Sequence, residues 1–232
     1  MNPKQKQLYI IIGVIVVAIV AVGAAIALSG RNNKPDLDYT AMPSSRTSDG
    51  AFVLGDPAAP VTIIEFADFA CPHCQAYEPE IARFVKDYVL TGRARFEFRM
   101  FGTNAGGQQT IFAGQLAECI AEDDPGVFWE AHDVLFELGA TGAYFAEDMG
   151  RVVAQRVGAG SYTELLTCSR EADQITTDMD FGRQMGVSGT PAVMIRYNDG
   201  PAQWITYNGT TYNRGGVPYD VLAAVVENYQ SQ

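Results

Sequence analysis

The chain is poor in histidine, in cysteine and in positive charge. His73 and His132 are its only imidazoles, and Cys71, Cys74, Cys119 and Cys168 its only thiols. A structural zinc wants four ligands, usually as two pairs at similar spacing. One C-x-x-C, two isolated cysteines and one further histidine do not supply that set, so no metal is expected. Lysine and arginine number 16 against 27 acids, for a net charge of −11. The first 35 positions hold four basic residues and no acid, which leaves −15 on positions 36–232. So acidic a domain repels nucleic acid and anionic lipid, and no basic patch overrides this. No internal repeat is visible, and from about Gln108 to Arg170 no segment reads as a strand.

One long apolar run is present. Leu8 to Leu28 carries no charge and is bounded by Lys4 and Lys6 on one side and Arg31 and Lys34 on the other. Its length matches the roughly 20 residues that cross a bilayer. A signal peptide, whose apolar core usually runs about 7–15 residues, is the competing reading, and Ala25, Ala27 and Ser29 offer it a cleavage site. The segment is expected to be an uncleaved single-pass anchor within positions 1–30, with its N-terminus inside and the rest exported. Positions 31–50, with Asn32, Asn33, Pro35, Pro43, Ser44, Ser45 and Ser48, are expected to form a flexible tether. An exported domain is permitted disulfides, and its cysteines are even in number.

The chemistry concentrates in Phe69-Ala70-Cys71-Pro72-His73-Cys74. Before it, the β-branched, apolar run Val61–Phe66 predicts a buried strand. After it, Tyr77, Ile81, Phe84, Val85 and Tyr88 recur on one helical face up to Leu90, with Pro79 inside the helix removing one hydrogen bond. A helix beginning at the first cysteine places its sulfur among unpaired backbone N–H groups at the positive end of the dipole, which favours a thiolate. His73 adds a donor and a partial positive charge. A preference for thiolate exists only in the reduced pair, so it makes the disulfide a stronger oxidant. Cys74, one turn further in, is the expected resolving thiol.

Phe52–Leu54 is expected as a short edge strand. Arg93 to Phe101 alternates charged and apolar residues and predicts a second core strand with one wet face. With the first strand and the helix it makes a βαβ unit. Helices follow around Ile111–Ile120, Phe128–Leu138 and Tyr162–Cys168, an insertion spanning about 104–170, with Trp129 and His132 expected to pack its interior. A further helix, Asp173–Met185, precedes Gly186-Val187-Ser188-Gly189-Thr190-Pro191. Strands Ala192–Tyr197 and Gln203–Tyr207 are joined by the hairpin signal Asn198-Asp199-Gly200. Pro218 opens a last helix with Val221, Leu222, Val225, Val226 and Tyr229 on one face. Asn208-Gly209-Thr210 fits a glycosylation sequon in a turn. Phe66, Phe69 and the surface near Gly189 are candidates for an apolar patch that receives unfolded polypeptide.

Glu65-Phe66-x-x-Phe69-x-Cys71-Pro72-His73-Cys74, the helical block, and Gly186-Val187-x-Gly189-Thr190-Pro191 together resemble the DsbA-like thiol:disulfide oxidoreductases of the thioredoxin superfamily, over about residues 51–230. The resemblance implies an α/β thioredoxin fold with an inserted helical subdomain, here preceded by one transmembrane helix. It implies that Pro191 is a cis-proline packed against the cysteine pair, and that the backbone of Thr190 pairs with substrate. It makes Glu65 the buried acid that takes up or relays the proton of Cys74. It also places Cys119 and Cys168 where some members carry a structural disulfide. Such a bridge would contribute roughly 4 kcal/mol on the chain-entropy model. Enterobacterial members commonly have valine before the cis-proline, so Thr190 leaves the balance of oxidase and isomerase open.

The function these readings imply is the introduction of disulfides into exported proteins through Cys71, Pro72, His73 and Cys74. The partners are unfolded exported proteins with free thiols and a quinone-linked membrane protein of the DsbB or vitamin-K-epoxide-reductase type that reoxidises the pair. No nucleotide or metal cofactor is implied. The rival readings are a disulfide isomerase or reductase with the same residues, and a non-catalytic binding protein or metallochaperone.

Overall fold

A computed structural model of the chain describes residues 37–230. The predicted anchor at Leu8–Leu28 lies outside the described residues. Among those described, no helix is long and apolar enough to cross a membrane.

A seven-stranded sheet runs through the domain in the order β1 (Ser44–Arg46), β2 (Phe52–Leu54), β4 (Arg95–Met100), β3 (Val61–Ala67), β5 (Ala192–Tyr197), β6 (Gln203–Tyr207) and β7 (Thr210–Tyr212). Its centre is β3 (Val61–Ala67), buried at every position, as a strand covered on both faces must be. The strand β4 (Arg95–Met100) lies parallel to β3, and β5 (Ala192–Tyr197) pairs with β3 from the other side in the antiparallel sense. Between β3 and β4 run α1 (Pro72–Phe84) and a wider turn of π type, Val85–Val89. The helix continues through Pro79. Four further helices form the insertion: α2 (Gln108–Ile120), α3 (Val127–Thr141), α4 (Met149–Arg156) and α5 (Tyr162–Cys168). Next come α6 (Gln174–Gln184), the hairpin of β5 and β6 (Gln203–Tyr207), the short β7 (Thr210–Tyr212), and α7 (Tyr219–Gln230). Asn198 takes φ +50° in the β5–β6 turn and Asn208 φ +48° in the β6–β7 turn, a backbone region that asparagine tolerates better than most residues.

The two faces of the sheet bury different things. Ile63, Ala67, Phe96, Phe98, Val193 and Ile195 belong to the larger core, shared with α1, α7 and the insertion. Ile64, Phe66, Phe101, Met194 and Ala192 form a smaller core, closed by Phe181, Met179 and Met185 from α6 and the turn after it. The insertion joins the first face through aromatic stacking. Phe52 lies flat on Phe128 at 3.7 Å between ring centroids, and Phe69 meets Phe136 edge-on at 4.9 Å. Trp129 and His132 pack there, both buried.

Four expectations are corrected. β2 (Phe52–Leu54) is not an edge strand, because β1 (Ser44–Arg46) pairs with it. From Leu37 on, the expected tether is therefore part of the domain, and Asp49 and Arg46 fasten it through bonds to Arg99 and Gln174. β4 has no wet face. Glu97 and Arg99 are buried and answer each other at 2.6 Å, with Asp178 of α6 and Arg196 of β5 completing the set. Charged side chains at alternate positions meant ion pairing across elements here, not exposure. The short elements α4 and β7 were not foreseen. Finally, Phe66 and Phe69 are fully buried and form core, not a surface for polypeptide.

Candidate active site

β3 ends at Ala67, and three residues, Asp68 to Ala70, carry the chain from there to Cys71, the N-cap of α1. Pro72 occupies the first turn, where its missing N–H costs nothing and its fixed φ suits the helix. The cap itself is extended (φ −76°, ψ 119°). Its N–H bonds the carbonyl of Asp68 at 2.9 Å and its carbonyl receives the N–H of Gln75 at 3.0 Å. These bonds fix the direction in which the first sulfur leaves the helix.

Asp68 is the anchor of this loop, and no motif in the sequence drew attention to it. Fully buried, it accepts from the Ala70 N–H and the Thr110 hydroxyl through one oxygen, and from the N–H and hydroxyl of Thr103 through the other. Thr110 stands on α2, so the insertion is bonded directly to the loop that carries the cysteines. Gln75 donates to the Phe69 carbonyl at 2.9 Å from within α1. Gly139 of α3 approaches that same carbonyl so closely that a Cβ there would stand 2.2 Å from it. The signal available in the sequence was an aspartate two residues before a turn amide, a common side-chain cap.

The peptide bond Thr190–Pro191 is cis and lies across from the helix terminus. Cys71 Sγ is 3.5 Å from the Thr190 carbonyl oxygen. Cys71 and Cys74 are both free thiols, the reduced form of the pair. Cys71 keeps 6% of its surface exposed and Cys74 none, so only the first can meet another protein. His73 is exposed and lines an open cleft of about 550 Å³ with Tyr77, Glu80, Pro191, Gly216 and Pro218. On the far side of Thr190–Pro191 a second cleft, about 280 Å³, is lined by Gly189, Trp204, Asn213, Arg214 and Gly215.

Beneath the cysteines, Glu65 lies fully buried on β3, between Phe98 and Val193 in the sheet register. Burial pushes the Cys74 thiol well above the ordinary range, and the Glu65 charge pushes it further. Tyr77 is raised for the same two reasons, burial first and Glu65 second. Its hydroxyl donates to the Val217 carbonyl at 2.6 Å and accepts from the Val217 N–H at 3.1 Å, holding the segment 213–218 over α1. Gly216 fits there because a Cβ would stand 2.4 Å from the Tyr77 ring.

Cys119 and Cys168 are joined by a disulfide between α2 and α5, outside this site. Among the described residues one group of side chains approaches a cation-binding arrangement, Glu78, His132 and Asp133. Asp133 contacts Nδ1 at 3.0 Å while Glu78 faces Nε2 at 4.0 Å. One ligand atom from each of the three lies within 4.8 Å of the other two.

A model of the thioredoxin family matches residues 47–200. "Disulfide bond formation protein D" of Bacillus subtilis is 27% identical over 176 residues, covering 71% of this chain and 76% of that protein. "Na(+)/H(+) antiporter NhaA 3" of Salinispora tropica is 33% identical over 157 residues, covering 66% of this chain but 23% of the antiporter's length. Among solved structures, oxidised BdbD from Bacillus subtilis superposes with a TM-score of 0.58 at 24% identity, over 84% of this chain and 96% of that one. Wolbachia pipientis α-DsbA1 superposes with a TM-score of 0.62 at 21% identity, over 79% and 92%.

Proposed function

The chain belongs to the thioredoxin family, among its DsbA-like thiol:disulfide oxidoreductases, and from that premise we propose that it donates disulfides to exported proteins. The observation that carries the proposal is the asymmetry of the pair: Cys71 at the rim, 3.5 Å from the Thr190 carbonyl, and Cys74 enclosed above Glu65. In the oxidised enzyme a substrate thiolate attacks Cys71 Sγ, the Cys71–Cys74 bond breaks, and Cys74 leaves as a thiolate. Its surroundings penalise that charge, so it takes a proton, and Glu65 relays it. A second substrate thiolate then attacks the substrate sulfur of the mixed disulfide. Product leaves with the new disulfide, and Cys71 keeps the electron pair. Two electrons have passed to the enzyme, and a quinone-linked membrane partner of the DsbB or vitamin-K-epoxide-reductase type removes them.

The apolar segment Leu8–Leu28 supports an anchored enzyme whose catalytic domain lies outside the cytoplasm. Thr190, standing before the cis-proline, favours as a second reading an isomerase or reductase built on the same residues. The reduction potential of the Cys71–Cys74 pair separates the two. A value well above about −200 mV supports the oxidase, whereas one near thioredoxin's, about −270 mV, overturns it. Cys71→Ala is expected to abolish oxidation of a dithiol peptide. Full activity in that variant would end the mechanism and leave a binding protein.

A further inference from the structure

We propose that the cleft on the Arg214 side of Thr190–Pro191 is a specificity pocket for an acidic side chain flanking the reacting cysteine of the substrate. This rests on the dithiol-oxidase reading above and names which substrates that enzyme prefers. Thr190 and Pro191 form a ridge shared by the two clefts, and Cys71 Sγ lies against the ridge. A polypeptide joined to Cys71 therefore straddles it, and the side chains flanking its cysteine fall to either side.

The two sides carry opposite charge. The larger cleft holds Glu80, whose Oε2 accepts the N–H of Tyr219 at 3.2 Å and so is kept at the rim, with His73 in the same cleft. The smaller cleft holds Arg214, exposed and, among the described residues, without a carboxylate at salt-bridge distance. Most other arginines of the domain are committed: Arg46, Arg99, Arg156, Arg183 and Arg196 each face an acid. An uncommitted guanidinium at the mouth of the site, in a domain of strongly negative charge, is a feature that packing does not require.

Its position is fixed by the backbone. Gly215, at φ +72°, makes a parallel bridge to Ala192 directly after the cis-proline, and Gly216 sits against Tyr77. Trp204, half-buried, supplies an apolar wall for the methylenes of an aspartate or glutamate, and Asn213 a further amide. The negative charge of the whole domain opposes an acidic substrate, but at physiological salt that field is screened beyond about 8 Å. Within the cleft the nearest charge decides, and that charge is Arg214. An exposed ion pair of this kind changes a rate by about two- to fivefold.

The test uses the oxidised full-length chain and five dithiol peptides: one with alanine on both flanks, and four with Asp or Lys two residues before or after the first cysteine. Rates are divided by that of the alanine peptide. At one flank the Asp peptide is expected to outrun the Lys peptide by about two- to fivefold. Arg214→Glu should reverse that order, Arg214→Gln should level it, and about 0.5 M salt should flatten it. Equal ratios for Asp and Lys at both flanks, or a preference that survives in Arg214→Glu, overturns the inference while oxidation of the alanine peptide keeps the oxidase reading standing. Failure of the wild type to oxidise any of the peptides overturns both.

Discussion

The face of the sheet that carries α6 and the face that carries α1 both bury carboxylates, and they treat them differently. Towards α6, Glu97 and Asp178 share the guanidinium of Arg99, Asp49 reaches the same group from the β1–β2 turn, and Arg196 takes the other oxygen of Glu97. Towards α1, Glu65 has Cys74 and Tyr77 as neighbours, and its charge lifts the pKa of both. Arginine satisfies a carboxylate and removes it from proton chemistry. A thiol and a phenol leave it coupled to groups that exchange protons. One sheet thus holds a structural set of charges and a chemical one, separated by the thickness of β3 and β4.

The structural set should fail hardest. Arg99→Gln removes the cation that Glu97, Asp178 and Asp49 share, from a side chain with 1% exposure, and leaves buried Asp178 without an arginine. Removing one partner of a buried pair costs about 3–5 kcal/mol. Urea unfolding is expected to show a loss of that order, while the reduction potential of the folded protein stays where it was. A potential that moved with stability would mean that the two faces are not separate.

Next in size is the Cys119–Cys168 bridge, which closes a span of 49 residues on the insertion. On the chain-entropy model its loss costs about 4 kcal/mol at most, and engineered cases commonly fall short of that figure. Cys119→Ala/Cys168→Ala is expected to unfold at lower urea yet oxidise peptide at the wild-type rate wherever it is folded. A loss of rate in folded protein would show that the crosslink also holds Thr110 and Asp68, and with them the cysteine loop.

On the chemical face the charge itself can be removed with little change of shape. Glu65→Gln should slow oxidation of substrate by about a hundredfold near pH 7, the lower end of what a positioned proton acceptor contributes. The deficit should shrink as pH rises, because hydroxide and solvent then take over the exchange. A variant as fast as wild type at every pH would remove Glu65 from the mechanism and leave it a buried acid.

What the sequence disclosed about these faces depended on how far the partners lie from each other. Cys71, Pro72, His73 and Cys74 are adjacent, and β3, α1 and the β5–β6 hairpin follow from local periodicity and turn chemistry. Glu65 was legible only through the family resemblance, which implies a buried acid on the strand before the cysteines. Arg99 was misread because its partners Asp49 and Asp178 are 50 and 79 positions away, so its alternation with apolar residues looked like a wet face. Asp68 escaped for the same reason: Thr110, 42 positions on, is what makes it an anchor. Arg214 has no local pattern at all, since its place beside Thr190 depends on Gly215 pairing with Ala192.

The smallest effect is also the most direct reading of the chemical face, and it appears as a pH dependence of stability in the reduced protein. An ordinary thiol ionises near pH 8.5. In the folded chain burial and Glu65 hold Cys74 protonated well beyond that point. Above pH 8.5 the unfolded chain therefore releases a proton that the native chain retains, and stability falls as pH rises. The contribution of Cys74 is fully present below that pH and declines by about 1 kcal/mol between pH 8 and pH 9.5. Cys74→Ala has no such group, so the difference in unfolding free energy between reduced wild type and this variant should shrink by that amount over the interval. A difference that stays constant with pH would show that Cys74 ionises natively as an ordinary thiol. Glu65→Gln should leave the onset unchanged, because the unfolded chain sets it, and should let the decline level off at a lower pH than in wild type.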